Sequence, residues 1–494
     1  MMSGLPHEVR PDEDPIPGAA EAPSQRALPE TRAQSVVTEI RRDPRTGQPL
    51  ARPVQSDPAR ADAALRSARS AWTMWRRVPQ AQRSGTLREL AGAVESAAHE
   101  LADLNSRETG RLFDDALAGV RSGAESLRRY AELSLLRSGP TLAGAFSGLD
   151  FTVYEPRGLV LGLTSWDDPV ATACGIAGAG LAAGNVVLLK PSERCSALGR
   201  RLGRLFASAV PPGVLSTVTG DAELGAALAG DDRVNAIVHV GSAAVADSLV
   251  AASCRTGAHL VRGRGGSSSL IVDRGVDLGW AAACTAQAAF RHAGQLLSAP
   301  RRIFVLRDVE EVFLDELAEQ ARQWAGSERV GPVVDEWARG EIHRAVLSAL
   351  DDGAVLLVGG QLPEGPGSFY PPTVLARCAP SMSIMRDQVR GPVAAVMSVQ
   401  TFDEAVAEAA EEPCGPSATV LTRDIGHAQL AAAEIPASNV AVNGLAVGVT
   451  GTDAPGLPQA GSTAGFGPRL LDELSRPKVI HLEPPVAARG RGGY

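Results

Sequence analysis

Cysteine and histidine supply many of the nucleophiles, general bases and metal ligands of enzymes. This chain of 494 residues holds six cysteines and eight histidines. The cysteines are Cys174, Cys195, Cys254, Cys284, Cys378 and Cys414. They are widely separated, with no CxxC pair and no grouping with histidines at the spacing of a zinc site. The pattern predicts free thiols in a reducing cytoplasm and no bound metal.

Polar residues follow two short apolar runs that are typical of buried strands. Lys190-Pro-Ser-Glu193 comes directly after Asn185-Val-Val-Leu-Leu189, and Gly241-Ser242 comes directly after Ala236-Ile-Val-His-Val240. Ligands of parallel sheets lie outside the carboxyl ends of the strands, where a helix that begins offers free N–H groups to a pyrophosphate. Each segment also has a simpler interpretation, with Lys190 as a surface charge and Gly241-Ser242 as an ordinary helix cap.

The elements that would position these residues begin with helices. Asp57-Pro58 is typical of an N-cap followed by proline at the first helical position. The small and apolar residues that follow, up to Trp72, have helical spacing. Two more helices are predicted over about 80–103 and 106–137.

From Phe151 onward, short β-rich runs alternate with alanine-rich helical stretches, the pattern of βαβ units and a parallel sheet. One set of runs precedes residue 262 and another follows it, so the sequence predicts two α/β domains in series. We expect them to meet at a flexible, glycine-rich junction near 262–268. The runs are Gly158–Leu163, Asn185–Leu189 and Ala236–Val240 in the first set, and Ser269–Asp273, Arg302–Leu306 and Thr419–Thr422 in the second.

Composition and charge exclude several classes of function. The net charge of −8 argues against a nucleic-acid partner, because such proteins usually present a basic face. The first thirty residues are polar, acidic and rich in proline, unlike a signal peptide. The least polar stretch, 169–189, consists largely of glycine and alanine and is predicted to be a buried helix and a strand instead of a membrane span. We therefore expect a cytoplasmic protein.

Eight segments, in one order and at matching spacing, resemble motifs of the aldehyde dehydrogenase superfamily. The likeness covers about residues 36–482, and Ala293-Gly-Gln-Leu296 makes it most similar to the succinate-semialdehyde-type branch. The segments are Arg42-Asp-Pro-Arg-Thr-Gly47, Glu108-Thr-Gly-Arg111, Ser165-Trp-Asp-Asp-Pro169, Leu181-Ala-Ala-Gly-Asn-Val-Val-Leu-Leu-Lys-Pro-Ser-Glu193, Pro211-Pro-Gly-Val-Leu215, Val240-Gly-Ser242, Ala293-Gly-Gln-Leu296 and Gly391-Pro-Val393.

The resemblance implies an α/β fold with a Rossmann-type NAD(P)-binding domain, a second α/β catalytic-type domain and a small β arm for oligomerisation. The arm is expected to combine a hairpin near 140–156 with a strand near Lys478-Val-Ile-His481. The predicted divisions are a disordered tail over 1–34, a cofactor domain over 35–262, a catalytic-type domain over 263–445, a bridging and oligomerisation segment over 446–483, and a flexible tail over 484–494.

At the positions that bind the cofactor in the family, this chain has residues that match the family's motifs. The resemblance implies that Lys190 and Glu193 bind the adenosine ribose, with Ser192 beside them. It places the pyrophosphate at Gly241 and Ser242, and Trp166 at the mouth of the pocket. NAD or NADP is therefore the expected cofactor, held mainly by its adenosine half, and Glu193 beside the ribose favours NAD.

On the chemical side, the matching positions hold residues that cannot perform the family's reaction. Leu297 stands where the family has its nucleophilic cysteine, and a leucine cannot attack a carbonyl. Asp167 replaces the asparagine that stabilises the oxyanion, and its charge has the wrong sign. Gly263 replaces the glutamate that activates water, and glycine offers no base.

The nicotinamide side also departs from the family, since Gln388 and Arg390 replace a glutamate and an aromatic residue. Other groups could take over the chemistry. Cys284 is predicted to pack in a core and His292 to have a structural role. Ser298 is predicted to point away from the tunnel in which the family's reaction takes place. A new polar pocket formed by Asp167, Asp168, Arg264 and Arg390 is a further alternative.

Three hypotheses follow. The leading one is a non-catalytic homologue, a pseudoenzyme that acts through assembly or ligand binding. The second is an enzyme with different, non-redox chemistry in the old tunnel. The third is an NAD(P)-dependent aldehyde oxidoreductase whose nucleophile lies elsewhere. Because family members form dimers or tetramers, we expect a homo-oligomer or a hetero-oligomer with another protein.

Overall fold

The computed structural model describes residues 41–50, 55–143, 149–264, 266–411, 414–445 and 466–482. The predicted tails over 1–34 and 484–494 lie outside the described residues, as does most of the predicted bridging segment. The helices are α1 Pro58–Trp75, α2 Gln80–Ser96, α3 Ala98–Thr109, α4 Phe113–Leu136, α5 Pro169–Ala182, α6 Ser196–Ala209, α7 Ala222–Ala229, α8 Ala243–Thr256, α9 Leu278–Phe290, α10 Glu310–Ala325, α11 Glu336–Asp351, α12 Ser383–Arg386, α13 Phe402–Ala410, α14 Ile425–Glu434 and α15 Pro468–Glu473.

The first helix begins as predicted. The Asp57 side chain accepts a hydrogen bond from the Arg60 N–H at 2.6 Å, and Pro58 is the first helical residue. The prediction of two further helices was wrong, because three are present. The helical hydrogen bonds break at Ala97 (φ −94°, ψ 10°), and Gly110, in the left-handed region at φ 78°, ends α3.

Fifteen strands are present in the described part of the chain. They are β1 Thr141–Ala143, β2 Leu149–Pro156, β3 Leu159–Leu163, β4 Val186–Lys190, β5 Leu215–Thr217, β6 Ala236–Gly241, β7 His259–Arg264, β8 Ser267–Val272, β9 Pro300–Leu306, β10 Val355–Val358, β11 Thr373–Ala376, β12 Val393–Val399, β13 Cys414–Leu421, β14 Asn439–Val442 and β15 Ser475–Leu482.

The first sheet has the order β5-β4-β3-β6-β7 and is parallel throughout. The chain builds outward from β3 through β4 to β5 and then returns to the other side of β3 as β6. Such a reversal opens a crevice at the carboxyl ends of the two strands where the direction changes. Here the crevice lies between β3 and β6.

The second sheet has the order β10-β11-β12-β9-β8-β13-β14, and only β10 runs antiparallel. Two residues separate β7 of the first sheet from β8 of the second. Residues 262–264 and 267–268 are therefore strand residues, and the predicted flexibility of the junction near 262–268 stays a prediction. Gly265 lies outside the described residues.

A third, small sheet pairs the last described strand with strands β1 and β2. β15 pairs antiparallel with β2 from Ser475 opposite Pro156 to Leu482 opposite Leu149, and β1 pairs with the other edge of β2. The outer edges of this sheet are therefore β1 and β15. Before β15, helix α15 places Leu470 and Leu471 in the apolar core around the first sheet.

The long apolar stretch near 169–189 is a buried helix followed by a strand, as predicted. Every residue of α5 is buried, and β4 is buried along its whole length. Within the described ranges, no helix is long and apolar enough to cross a membrane.

Candidate functional site

Three segments with predicted functions meet at one edge of the first sheet. β4 ends at Lys190 and β6 at Gly241, while β3 leads from Leu163 into the segment that carries Trp166 and Asp167. Because the three strands are adjacent and parallel, their carboxyl ends share this edge.

Lys190 is a buried side chain, so its interpretation as a surface charge was wrong. It is 7% exposed, and its Nζ lies 3.4 Å from the carbonyl oxygen of Pro191 and 3.8 Å from Oε2 of Glu193. Burial lowers the pKa of Lys190, and the carboxylates of Glu193 and Asp221 oppose that change. Its methylene groups pass Gly225 of α7, where an added Cβ would lie 3.4 Å from Cδ.

Two serines cap short helices at this edge. The Ser242 hydroxyl accepts a hydrogen bond from the Val245 N–H at 3.4 Å and so caps α8, which begins directly after β6. The Ser192 hydroxyl accepts from the Arg194 N–H at 3.3 Å and caps a single 3₁₀ turn over Glu193–Cys195. The cap interpretation of Gly241-Ser242 is therefore compatible with the ligand interpretation, because a capped helix N-terminus still presents free N–H groups.

An arginine lies near two tryptophans that come from distant parts of the sequence. The Arg194 guanidinium carbon lies 5.4 Å from the ring centre of Trp166 and 5.7 Å from that of Trp337. Its Nε lies 3.3 Å from a carboxylate oxygen of Asp335, the residue that caps α11. Sequence reasoning missed this contact, since nothing in the local sequence of Arg194 or Trp337 indicates that they meet.

Asp167 and Asp168 are held by a shared arginine. Nη1 of Arg111 donates to the Asp167 carbonyl oxygen at 2.7 Å and lies 3.1 Å from Oδ1 of Asp168. The Asp167 carboxylate, 5% exposed, accepts a hydrogen bond from the Ser165 hydroxyl. Burial raises the pKa of Asp168, and Arg111 opposes that change. This edge of the sheet therefore presents a buried carboxylate at Asp167, where the sequence resemblance led us to expect the loss of an amide donor.

Arg301 of β9 forms hydrogen bonds to two loops, one that contains Gly294 and Leu296 and one that contains Val389. One of its amino groups, Nη1, donates to the carbonyl oxygen of Gly294 at 3.0 Å and to that of Val389, and Nη2 donates to Leu296 at 3.1 Å. The loops also touch directly, because a Cβ added to Gly294 would lie 2.0 Å from the Gly391 carbonyl oxygen. The structure thus brings the segment of Leu297 against the segment of Arg390.

The charges near these loops influence one another. Burial lowers the pKa of Arg390, Asp167 opposes the change, and Arg194 adds to it. Burial also lowers the pKa of His239 to about 4, with a further contribution from Arg390. Arg390 therefore lies within electrostatic reach of the carboxylate at the end of β3 and of the imidazole on β6.

Leu297 and Gly263 lie on the boundary between the two sheets. Leu297 is partly buried and packs against the apolar core around the first sheet. Gly263 is buried in β7, opposite Val240 of β6. The side chain of Arg264 lies outside the described residues, so its predicted place in a polar pocket stays a prediction.

The other candidates for a displaced nucleophile or base, which are Cys284, Ser298 and His292, each lie in a different environment. Cys284 packs with the apolar residues of α9 beside the second sheet, and burial raises its pKa. Ser298 lines a cavity with Arg291 and Thr419, and its carbonyl accepts from the Ser417 hydroxyl. His292 is 2% exposed, its ring centre lies 6.5 Å from that of Trp166, and burial lowers its pKa.

Across the described ranges, no three histidine, cysteine or acidic side chains are grouped so that they could hold a metal ion.

Comparison with known proteins identifies the family. A family model described as "Aldehyde dehydrogenase family" matches residues 32–480. Betaine aldehyde dehydrogenase of Cereibacter sphaeroides is 32% identical over 451 residues, which cover 89% of this chain and 92% of that protein. The curated relative is thus of the betaine aldehyde type, and the predicted succinate-semialdehyde branch stays a prediction.

Solved structures of the family have the same fold. Indole-3-acetaldehyde dehydrogenase from P. syringae, a mutant in complex with NAD+ and IAA, has a TM-score of 0.86 and 29% identity, over 90% of this chain and 93% of that one. Succinate-semialdehyde dehydrogenase from Burkholderia pseudomallei has a TM-score of 0.84 and 27% identity, over 90% and 94%. The α/β fold predicted from the motifs is confirmed, and this chain belongs to the aldehyde dehydrogenase family.

Proposed function

We propose that this chain is a non-catalytic member of the family, which binds the adenosine half of NAD or NADP and does not oxidise aldehydes through a cysteine. The observation that carries the proposal is Leu297. It follows Gly294-Gln-Leu296, and the resemblance equates its position with that of the family's nucleophile. A leucine side chain cannot form a covalent bond to a carbonyl carbon, so the first step of the family's reaction has no attacking group.

The surroundings of the cysteines support this proposal. Cys174 and Cys195 are buried in the core of the first sheet, and Cys378 is buried beside the second. Burial raises the pKa of each of these three thiols, which disfavours the reactive thiolate. Cys254 is exposed on α8, and the side chain of Cys414 lies outside the described residues.

Asp167 and Gly263 would lower the rate of aldehyde oxidation further. An oxyanion donor is worth roughly 10²–10³ in rate, and a general base roughly 10²–10⁴. Asp167 offers a carboxylate instead of a donor, and Gly263 offers no side chain at all. A replacement nucleophile would therefore act without either of the family's supporting groups.

The adenosine side favours a bound nucleotide. A buried ammonium at Lys190, the nearby Glu193 and Ser192, and the helix that begins after Gly241-Ser242 fit ribose hydroxyls and a pyrophosphate. The resemblance implies that Trp166 lies at the mouth of this pocket. One related dehydrogenase was solved in complex with NAD+, which supports the same class of ligand here.

The nicotinamide side does not fit the cofactor. The nicotinamide ring of NAD+ carries a positive charge, and Arg390 places a second positive charge, with a buried and unpartnered Nη2, beside the loops that would receive it. Like charges in a poorly solvated site repel each other strongly. We therefore derive no hydride-transfer step for this chain.

A protein that catalyses no reaction can act through assembly or ligand binding. We propose that this chain forms a cytoplasmic dimer or tetramer, or a hetero-oligomer with another protein. The small sheet supports this, because its edge strand β15 exposes Val479 and Leu482 and exposed edges tend to pair. A monomeric mass by light scattering at micromolar concentration would contradict it.

The test is production of NADH or NADPH from succinate semialdehyde and from simple aliphatic and aromatic aldehydes. We expect no steady-state rate above a no-enzyme control. The names of the relatives favour one other candidate, an NAD(P)-dependent aldehyde dehydrogenase with a displaced nucleophile. A rate that disappears with Cys284→Ala, but not with Cys254→Ala, would establish that candidate. A rate that persists after every cysteine is replaced by alanine would indicate different chemistry in the old tunnel.

A further inference from the structure

Positive charge is in excess where the two loops fastened by Arg301 meet. Two arginines near the site have carboxylate partners: Arg111 lies 3.1 Å from Asp168, and Arg194 lies 3.3 Å from Asp335, which Arg41 also approaches at 3.6 Å. Arg301 and Arg390 then share the field of a single carboxylate, Asp167. Within the described residues, two guanidinium groups thus face one carboxylate, so positive charge is in excess at these loops.

Both amino groups of Arg301 have acceptors, although its Nε has none, whereas an amino group of Arg390 has no acceptor within the described residues. The two amino groups of Arg301 donate to three main-chain carbonyl groups. Nη2 of Arg390 is buried and has no hydrogen-bond partner in the described part of the chain. A buried guanidinium nitrogen without an acceptor is costly, so the site favours an added acceptor with negative charge.

Two neighbouring side chains are unpartnered as well. Nδ1 of His239 and Nε2 of Gln388 are buried and lack hydrogen-bond partners within the described ranges. His239 lies beside Leu163 in the strand register, at the end of β3 that leads to Asp167. Gln388 precedes Arg390 by two residues. A neutral imidazole can donate through Nδ1, and an amide nitrogen donates twice, so both can complete a set of donors.

We propose that this cluster binds a small monocarboxylate, whose oxygens accept hydrogen bonds from Arg390 and whose carbon chain lies on the side of Leu297. A guanidinium offers a planar pair of N–H groups that matches a carboxylate. A single negative charge balances the excess charge, whereas a phosphate dianion would be repelled more strongly by Asp167. Leu297 supplies an apolar surface next to the loop that carries Arg390.

The proposal goes beyond the proposed function and uses none of the residues assigned to the adenosine. The proposed function and the carboxylate site can therefore be disproved independently of each other. Binding of adenine nucleotides reports on Lys190 and its neighbours, and binding of carboxylates reports on Arg390.

The experiment is calorimetry on the full chain with acetate, butyrate and inorganic phosphate, at fixed ionic strength and with chloride as the reference anion. We expect butyrate to bind more tightly than acetate by roughly fourfold for each added methylene group. Arg390→Gln should weaken butyrate by at least about tenfold. The matched control is Arg88→Gln, which removes an exposed arginine of α2 and should bind butyrate like the wild type.

A second variant covers the case in which Arg390→Gln does not fold. Leu297 is only partly buried, so Leu297→Ala should fold, and it should reduce the preference for butyrate over acetate while acetate affinity changes little. Three results would overturn the proposal: no carboxylate binding to the wild type at millimolar concentration, equal butyrate binding by a folded Arg390→Gln, or phosphate as the anion that depends on Arg390.

Discussion

The imidazole ring of His427 lies flat on the ring of Phe402, with the ring centres 4.0 Å apart and the planes 4° from parallel. The same histidine joins α14 to β8, because its Nδ1 lies 2.7 Å from Oδ2 of Asp273. Asp273 is 1% exposed and also accepts from the Thr422 hydroxyl at 2.5 Å. One residue therefore combines an aromatic stack with a hydrogen bond to a buried carboxylate.

Two substitutions separate these contributions. His427→Phe keeps a ring on Phe402 and removes the hydrogen bond, so we expect it to lower the free energy of unfolding by about 2 kcal/mol. His427→Ala also removes the stack and should cost about 1 kcal/mol more. Denaturant unfolding measures both. The control is His99→Phe at an exposed position of α3, and equal unfolding of all three proteins would show that the contacts contribute nothing.

Two helical glycines should respond to alanine with opposite signs. A Cβ at Gly119 in α4 would lie 2.5 Å from Oδ1 of Asp168, whereas a Cβ at Gly85 in α2 would meet nothing within 4 Å. Alanine favours a helix over glycine by about 1 kcal/mol. We expect Gly85→Ala to raise the melting temperature and Gly119→Ala to lower it, measured by thermal unfolding. Stabilisation by both changes would mean that Asp168 moves aside at little cost.

The buried His239 should make the protein less stable in acid. Its pKa is about 4 in the folded protein, below the ordinary value of 6.5. Between these pH values the unfolded chain binds a proton that the folded protein does not bind, so the free energy of unfolding falls as the pH falls. The full effect is about 3 kcal/mol.

Replacement by leucine tests this directly. His239→Leu should flatten the decline in the denaturant midpoint between pH 6.5 and pH 4. It should not abolish the decline, because burial also lowers the pKa of His292. An unchanged pH profile in His239→Leu would show that this histidine is protonated in the folded protein.

Affinity for the cofactor should reside in its adenosine half. The sequence resemblance assigns Lys190, Glu193 and their neighbours to that half, and it assigns the substituted positions Leu297, Asp167 and Arg390 to the nicotinamide half. ADP-ribose or AMP should therefore bind within about tenfold of NAD, a difference of roughly 1.4 kcal/mol. Lys190→Ala should weaken all three ligands together in calorimetry. NAD binding far tighter than that of ADP-ribose would reveal a working nicotinamide site.

The parts of the fold that the sequence predicted are those with local signals. Asp57-Pro58 marks a helix start through its own side chain and ring, and the runs at β4 and β6 are apolar along their whole length. The break between α2 and α3 was missed because Ala97 carries no turn signal. The alanine-rich stretch around it has equal propensity for one long helix or two short ones.

The parts of the site that were missed depend on tertiary contacts. An arginine in a strand is usually exposed, so nothing local marks Arg301 as a buried side chain that holds two loops. Arg194 and Trp337 are far apart in sequence and meet only in the folded chain. Lys190 and Gly241 could be predicted because the ends of adjacent parallel strands must share an edge.

Arg301 holds its two loops only through main-chain carbonyl oxygens. Every amino acid, proline included, supplies that oxygen. The path of the backbone at positions 297 and 390 is therefore insensitive to the side chains that mutation installs there. This arrangement allows evolution to change the side chains at these two positions, and with them the chemistry of the site, while the loops keep their positions.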